Sequence, residues 1–192
     1  MKHQLYVKLP SWTRGLHAKR CKGWRRCAEA EHPLKFGQEL QDLVLFEKIL
    51  DRQTGGVFWE LGAGDGVVGL HSLALEMFHG WRGVLVEHAP RPLPWKMARE
   101  RRKAQLVEAS PKDFPSALRS LPENLAKPDM LACHSAAWNE AAVAAALAGT
   151  VRPRVLILQV PQADVRWVKA LQPRYRLAFA FHDDEYYLLR AP

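Results

Sequence analysis

The chain has 192 residues, which suits one domain with a substantial core. With 48% hydrophobic and 25% charged residues, its composition is typical of a globular protein rather than a disordered one. No apolar run approaches the ~20 residues that a transmembrane helix needs, and three cysteines are too few for a disulfide-stabilised secreted scaffold. We therefore expect an intracellular protein, in the cytoplasm or the mitochondrial matrix.

The net charge of +8 is concentrated at the beginning of the chain. Residues 1–28 contain eight Lys and Arg residues and no acid, so the other 20 basic residues balance all 20 acidic ones. We predict a basic N-terminal arm over residues 1–32, followed by a domain over residues 33–192. The arm could be a mitochondrial transit segment or a solvated tail. We prefer a partner-binding arm, which meets an anionic partner such as RNA or an acidic surface, or docks into a protein assembly.

Four residues of the arm are of the kinds that bind zinc, namely His17, Cys21, Cys27 and His32. Their spacing fits no familiar zinc finger, because closely spaced cysteine pairs are missing. We therefore predict no metal site and interpret these residues as small buried thiols and surface histidines.

After the arm, the hydrophobic pattern alternates between helices and strands in chain order. A helix over 34–50 leads into strands over 57–61, 83–87, 104–108, 130–134 and 155–158. The intervening helices are predicted over 69–78, 95–103, 114–121, 139–147 and 163–171. Two final strands, over 175–181 and 186–190, flank a tight turn at 182–185. This order predicts an α/β fold with a doubly wound, mainly parallel, seven-stranded sheet that is Rossmann-like and ends in an antiparallel hairpin.

The first strand runs directly into a glycine-rich turn, Gly62-Ala63-Gly64-Asp65-Gly66. Glycines allow the backbone to turn sharply there and a ligand to approach it closely. The second strand ends in Glu87, at the spacing of ~20 residues where nucleotide-binding folds place an acid on the ribose hydroxyls. Together these features predict a cofactor site formed by Glu60, the glycine loop and Glu87. A turn that only connects a core strand to a core helix is the simpler alternative.

The charge of the loop decides between two cofactors. A dinucleotide such as NAD would bring its pyrophosphate against Asp65, whose carboxylate would repel it. S-adenosylmethionine has no phosphate and carries a cationic sulfonium and an ammonium group, which suit Glu60 and Asp65 better. We therefore predict S-adenosylmethionine as the cofactor, with Glu108 at the end of the third strand touching the adenine edge.

Three segments of the chain resemble the FkbM family of methyltransferases: Gln41-Asp42, the run from Gly55 to Gly66, and the run from Gly80 to Glu87. The resemblance is tight over residues 36–88 and diffuse beyond them. It implies the class I methyltransferase fold and transfer of a methyl group, often to a hydroxyl oxygen. Two segments depart from the family pattern: Leu70-His71-Ser72 stands where the family has Ser-Asn-Thr, and Gln159-Val160-Pro161-Gln162 where it has Asp-Val-Glu-Gly.

Methyl transfer needs little beyond alignment of the acceptor, because the sulfonium is already activated. Where the acceptor must lose a proton, His134 and His71 are the candidate bases, although a structural role is the commoner one for such histidines. The amides of Gln159 and Gln162 cannot accept that proton.

Two functions therefore stay open. The first is an active O-methyltransferase that acts on a small molecule or RNA. The second is an inert methyltransferase-like subunit of a larger assembly, such as an organellar ribonucleoprotein or membrane complex, anchored by its basic arm.

Overall fold

The computed structural model describes residues 41–66, 69–88, 103–160, 165–181 and 183–191. These residues form one seven-stranded sheet, built from β1 (Val57–Leu61), β2 (Arg82–Glu87), β3 (Ala104–Glu108), β4 (Met130–Cys133), β5 (Val155–Gln159), β6 (Tyr175–Phe181) and β7 (Asp184–Leu189). The strand order is β3-β2-β1-β4-β5-β7-β6. Strands β1 to β5 pair in parallel, and β7 runs antiparallel to both β5 and β6. The predicted Rossmann-like sheet with an antiparallel C-terminal hairpin is confirmed.

Helices pack around this sheet: α1 (Gln41–Val44), α2 (Ser72–His79), α3 (Phe114–Arg119), α4 (Ala136–Ala148) and α5 (Val165–Leu171). A 3-10 turn, Glu123–Leu125, follows α3. Among the described residues, no helix is both long and apolar enough to cross a membrane. The predicted basic arm, its boundary at residue 32, the candidate zinc ligands and nearly all of the helix predicted over 95–103 lie outside the described residues.

The helix predicted over 34–50 differs from the structure in its described part. Four residues of α-helix, α1, continue as a π-helix over Leu45–Ile49. The wider turn is set by the backbone N–H of Leu50, which donates to the carbonyl of Leu45 five residues earlier, at 2.9 Å. Asp51 and Arg52 then adopt positive φ angles of 48° and 57°, which end the helix.

Strand β1 is buried along its whole length, as expected for a central parallel strand covered on both faces. Its side chains alternate between two apolar clusters, with Val57, Trp59 and Leu61 on one face and Phe58 on the other. The same alternation places Glu60 on the face of Phe58. A fully buried carboxylate in the middle of a core strand therefore requires partners on that face.

Helix α2 begins at Ser72, three residues later than predicted. Gly69 has a φ angle of 77°, which a right-handed helix does not accommodate. The carboxylate of Glu60 then accepts the backbone N–H of His71 and the hydroxyl of Ser72, so it caps the beginning of the helix. Helix α4 instead begins three residues early, at Ala136, directly after the extended residue Ser135.

The C-terminal hairpin is tighter than predicted, and this corrects the turn assigned to residues 182–185. Strand β7 begins at Asp184, which pairs with Gln159 of β5, and only residues 182–183 separate it from β6. Asp184 and Glu185 are strand residues and are 1% and 5% exposed. Each has a partner in the core: Asp184 binds His71, and Glu185 accepts a hydrogen bond from the hydroxyl of Tyr187. Acidic residues that looked like turn formers are thus buried in the sheet.

Candidate functional site

Most of the predicted site residues lie at one end of the sheet, where β1, β2 and β4 have their carboxyl ends. From β1 the chain goes to β2 on one side and later returns to β4 on the other, so the strand order reverses there. Gly62 follows β1, Glu87 ends β2 and His134 follows β4. This reversal is the position where open α/β sheets bind their ligands. Glu108 ends β3 in register with Glu87 and is exposed.

The glycine loop is tied to β2 by its backbone. The N–H groups of Gly62 and Ala63 both donate to the carbonyl of Val86, at 2.8 and 3.1 Å. Gly62 has a φ angle of 77°, and a Cβ atom there would lie 2.8 Å from the ring of Trp138. Gly64 also has a positive φ of 57°, but the space around its missing Cβ is open. The loop is therefore packed at its first glycine and accessible at its second.

Glu87 lies against this loop. One carboxylate oxygen accepts the backbone N–H of Gly64 at 2.8 Å, and the other accepts that of His88 at 2.7 Å. The acid follows Gly64 by 23 residues in the chain, the spacing predicted from the sequence. Two of the predicted cofactor residues are thus in contact, with Asp65 half-buried on the same loop.

Glu60 occupies a different position from the one its predicted role requires. It is fully buried, and its two oxygens accept the backbone N–H of His71 at 2.7 Å and the hydroxyl of Ser72 at 2.5 Å. The Nε2 atom of His134 lies 3.2 Å from the same oxygen that binds His71. We therefore expect Glu60 to hold the helix start and the two histidines in place rather than to project into an open cleft.

His71 is held between two buried carboxylates. Its Nε2 atom is 2.9 Å from an oxygen of Asp184, and its Nδ1 atom is 3.5 Å from an oxygen of Glu60. Asp184 is itself fixed by the side-chain amide of Gln41, which donates to it at 2.5 Å. Asp184 and Ser72 are the members of this network that the sequence analysis missed.

The electrostatics of the two central groups follow from this packing. Burial alone would raise the pKa of the Glu60 carboxyl, but interactions with His134 and His71 outweigh it and hold that pKa well below its ordinary value. Burial would likewise lower the pKa of His71, yet the carboxylates of Asp184 and Glu60 raise it to about 10. Without a bound cation, His71 is thus protonated around neutral pH.

The two predicted bases therefore differ in what they can do. His71 is 2% exposed and already carries its proton, so it is poorly suited to accept one from a substrate. His134 is 13% exposed at the carboxyl end of β4, where an acceptor could reach it. His134 is the better candidate base of the two.

The end of β5 carries an amide where a methyltransferase of the resembled family has an acid. Gln159 is half-buried, and its backbone carbonyl accepts the side-chain amide of Asn139 at 2.8 Å. Gln162 lies outside the described residues. The described part of this strand end offers no carboxylate to an acceptor.

Comparisons with known proteins bear on the fold. The sequence matches no protein-family model, and no curated protein is significantly similar to it. The structure is similar to precorrin-6y C5,15-methyltransferase from Geobacter metallireducens, with a TM-score of 0.55 and 22% identity over 82% of this chain and 89% of that one. Fibrillarin from Aeropyrum pernix, solved with S-adenosyl-L-methionine, gives a TM-score of 0.53 and 16% identity over 77% and 71% of the two chains.

A third similar structure is MycE, a methyltransferase of the mycinamycin biosynthetic pathway solved with Mg and SAH. It gives a TM-score of 0.53 at 9% identity and covers 87% of this chain and 48% of that one. At these identities the likeness establishes the fold. The described chain has the fold of the class I S-adenosylmethionine-dependent methyltransferases.

Proposed function

We propose that the chain binds S-adenosylmethionine at the carboxyl ends of β1, β2 and β4 and transfers its methyl group to an acceptor. The observation that carries this proposal is the contact between Glu87 and Gly64. It brings the acid at the end of the second strand to the glycine loop that follows the first. An acid in this position can accept hydrogen bonds from both hydroxyls of a ribose, and the open space over Gly64 leaves room for the ligand.

The choice of cofactor rests on charge. Asp65 belongs to the loop that would have to hold the pyrophosphate of a dinucleotide, and its negative charge opposes that contact. The sulfonium and ammonium groups of S-adenosylmethionine face no such repulsion. The similar structures solved with S-adenosyl-L-methionine and SAH support the same cofactor.

In the proposed reaction the acceptor oxygen attacks the methyl carbon as the bond from that carbon to sulfur breaks. Sulfur keeps the electron pair and becomes a neutral thioether, and the acceptor hydroxyl loses its proton. Alignment of the two reactants supplies most of the rate. We assign the proton acceptor to His134, since Gln159 cannot accept a proton and His71 is buried and protonated. Transfer to oxygen is the assignment suggested by the resemblance to the FkbM family.

A second function has its own supporting observation. The amide of Gln159 at the end of β5 is compatible with a methyltransferase-like subunit that catalyses nothing. Such a subunit would use its basic arm to join a larger assembly, for example a ribonucleoprotein in the mitochondrial matrix. The arm, its partner and the compartment stay predictions from the sequence.

One pair of measurements tests and separates these functions. Calorimetry on the purified chain should show binding of S-adenosylmethionine and of S-adenosylhomocysteine, and weaker or no binding of NAD. Transfer of a labelled methyl group is then measured on hydroxyl-bearing small molecules and on RNA. Cofactor binding without transfer to any of them supports the inert subunit. A folded chain that binds neither S-adenosyl compound contradicts the methyltransferase and leaves the inert subunit.

A further inference from the structure

Three potential metal ligands meet behind the glycine loop. Glu60 belongs to β1, His71 immediately precedes α2, and His134 follows β4. One candidate ligand atom of each lies within 4.8 Å of the other two. The Oε1 atom of Glu60 is 3.2 Å from Nε2 of His134 and 3.5 Å from Nδ1 of His71. Two ligands that each lie ~2.0–2.1 Å from a tetrahedral metal are roughly 3.3 Å apart. The observed separations bracket that value.

The ring of His71 is oriented for coordination. Its Nε2 atom is bound by Asp184 at 2.9 Å, whereas its Nδ1 atom is buried and has no hydrogen-bond partner. A carboxylate on one ring nitrogen fixes the proton there and leaves the lone pair of the other nitrogen free. Gln41 holds Asp184 in turn, at 2.5 Å. This is the arrangement of outer partners that metal-binding histidines generally have.

Glu60 is also held in place by groups other than the histidine rings. The backbone N–H of His71 takes one lone pair of Oε1, and the hydroxyl of Ser72 takes Oε2. A carboxylate oxygen has two lone pairs, so the second one on Oε1 remains for a metal. The carboxylate cannot rotate away without losing both bonds.

The buried charges favour a divalent cation. Glu60 and Asp184 are 0% and 1% exposed, and two carboxylates in the interior need compensating positive charge. With a divalent ion bound, both carboxylates are balanced while both histidines are neutral. A proton and a metal ion compete for the Nδ1 lone pair of His71, so the metal-free protein holds a proton there instead.

We propose that Glu60, His71 and His134 bind one divalent transition-metal ion of the zinc type. Two imidazole nitrogens and one carboxylate oxygen are the ligand set that Zn²⁺ and Fe²⁺ take at sites with an open position, whereas Mg²⁺ and Ca²⁺ prefer oxygen ligands. The three ligands fill three positions of a tetrahedron and leave at least one for water or a substrate oxygen. His134, which is 13% exposed, marks the side from which the ion enters.

This site revises our expectation from the sequence that the chain binds no metal, and it does not depend on methyl transfer. It also changes the role of His134 in the proposed reaction, because a lone pair that binds a metal cannot accept a proton. With the ion bound, an oxygen on the metal would lose its proton more readily and so replace the base.

Zinc binding to the full-length protein tests the proposal. The chain is treated with a chelator, desalted and titrated with Zn²⁺ by calorimetry, and metal per chain is measured by mass spectrometry. We expect one ion per chain. His134→Ala should reduce the affinity by more than the ~10–100-fold expected for Asp184→Asn, which removes only the charge of a ligand's partner. His88→Ala is the matched control, because His88 is exposed at the same edge of the sheet but outside the cluster.

Two further measurements exclude the cysteines of the N-terminal arm as the zinc ligands and exclude misfolding of a variant as the cause of lost binding. Replacing Cys21 and Cys27 together with serine should leave zinc binding unchanged. In wild-type protein with ¹⁵N-labelled histidine, zinc should shift Nδ1 of one ring and Nε2 of another, a signature that needs no variant. The proposal is overturned if folded wild type binds no zinc, if His134→Ala binds as tightly as wild type, or if the serine variant loses the ion.

Discussion

The carboxylate of Glu87 accepts a hydrogen bond from the backbone N–H of Gly64, with 2.8 Å between the two atoms. This bond connects the ends of two neighbouring strands at the point where the ligand is proposed to lie. Each oxygen of Glu87 keeps a second lone pair, so a ribose can bind both oxygens while the bonds from Gly64 and His88 remain. Cofactor binding should therefore depend on Glu87, which these two backbone groups hold in position.

The first prediction concerns that acid. Glu87→Ala should weaken the binding of S-adenosylmethionine by ~1–3 kcal/mol, the loss that accompanies removal of a charged hydrogen-bond acceptor. Calorimetry with the folded variant measures it. Glu140→Ala is the control, because Glu140 is an exposed acid on α4 and should leave the affinity unchanged. Equal affinity of wild type and Glu87→Ala would contradict the assignment of the ribose site.

The second prediction separates the two glycines of the loop. Gly62→Ala should destabilise the fold strongly, since it combines a φ angle of 77° with a Cβ atom 2.8 Å from Trp138. Gly64→Ala faces open space, so it should cost only the ~1–2 kcal/mol of a left-handed residue with a side chain. Its methyl group instead occupies the proposed ligand space. Urea unfolding and calorimetry together should show Gly62→Ala losing stability and Gly64→Ala losing cofactor affinity. A Gly64→Ala variant that binds normally would place the ligand elsewhere.

The third prediction concerns Trp59, which precedes Glu60 on β1. The structure buries it against Phe114, with its indole N–H donating to the carbonyl of Leu125 at 2.8 Å. Trp59→Phe leaves that carbonyl unsatisfied and should lower the free energy of unfolding by ~1–3 kcal/mol. Denaturant titration measures the loss. Cofactor affinity should not change, because Trp59 is 1% exposed in the core and cannot touch a bound ligand.

The sheet and the glycine loop could be predicted because their signals are local. An apolar run such as residues 155–158 is typical of a buried strand in a parallel sheet. A glycine-rich turn directly after such a strand limits the elements that can come next in the chain. The contact between Glu87 and Gly64 could be predicted for the same reason, because it follows from the order of strand, loop, helix and strand.

The buried acid and histidine network could not be predicted, because it is assembled from distant parts of the chain. Asp184 meets His71 across 113 residues and Gln41 across 143. In the sequence, Asp184 lies in an acidic run that is typical of a hairpin turn, and nothing local indicates that it is buried. The available signal was the pair Tyr186 and Tyr187, which directly follows the acids, since tyrosines favour strands.

The fourth prediction concerns residues 1–28, whose eight positive charges are unopposed. Deleting them should leave the domain folded, as judged by circular dichroism, and should abolish its association with an anionic partner. RNA is the probe, and binding of the full-length chain should fall steeply as salt rises, because phosphate contacts release counterions. Binding that does not respond to salt would contradict an electrostatic arm. A domain that unfolds without residues 1–28 would assign them to the fold instead.

The last prediction concerns transfer itself. The site has the glycine loop and the acid of a cofactor site, but Gln159 at the end of β5 cannot accept a proton. We therefore expect weak transfer from S-adenosylmethionine to simple hydroxyl acceptors. Whatever transfer occurs should fall by ~10²–10⁴-fold in His134→Gln, which keeps a polar side chain but removes the group that accepts the proton or holds the metal.

Two comparisons complete this test. Gln159→Asp places a carboxylate at the end of β5 and should raise the rate, if the amide is what limits an otherwise intact site. Glu140→Ala should leave the rate unchanged, since Glu140 is an exposed acid on α4. Labelled methyl transfer is measured for each variant, with and without added Zn²⁺. Rapid wild-type turnover that persists in His134→Gln would show that alignment of the acceptor alone is sufficient and that neither a histidine base nor a metal takes part.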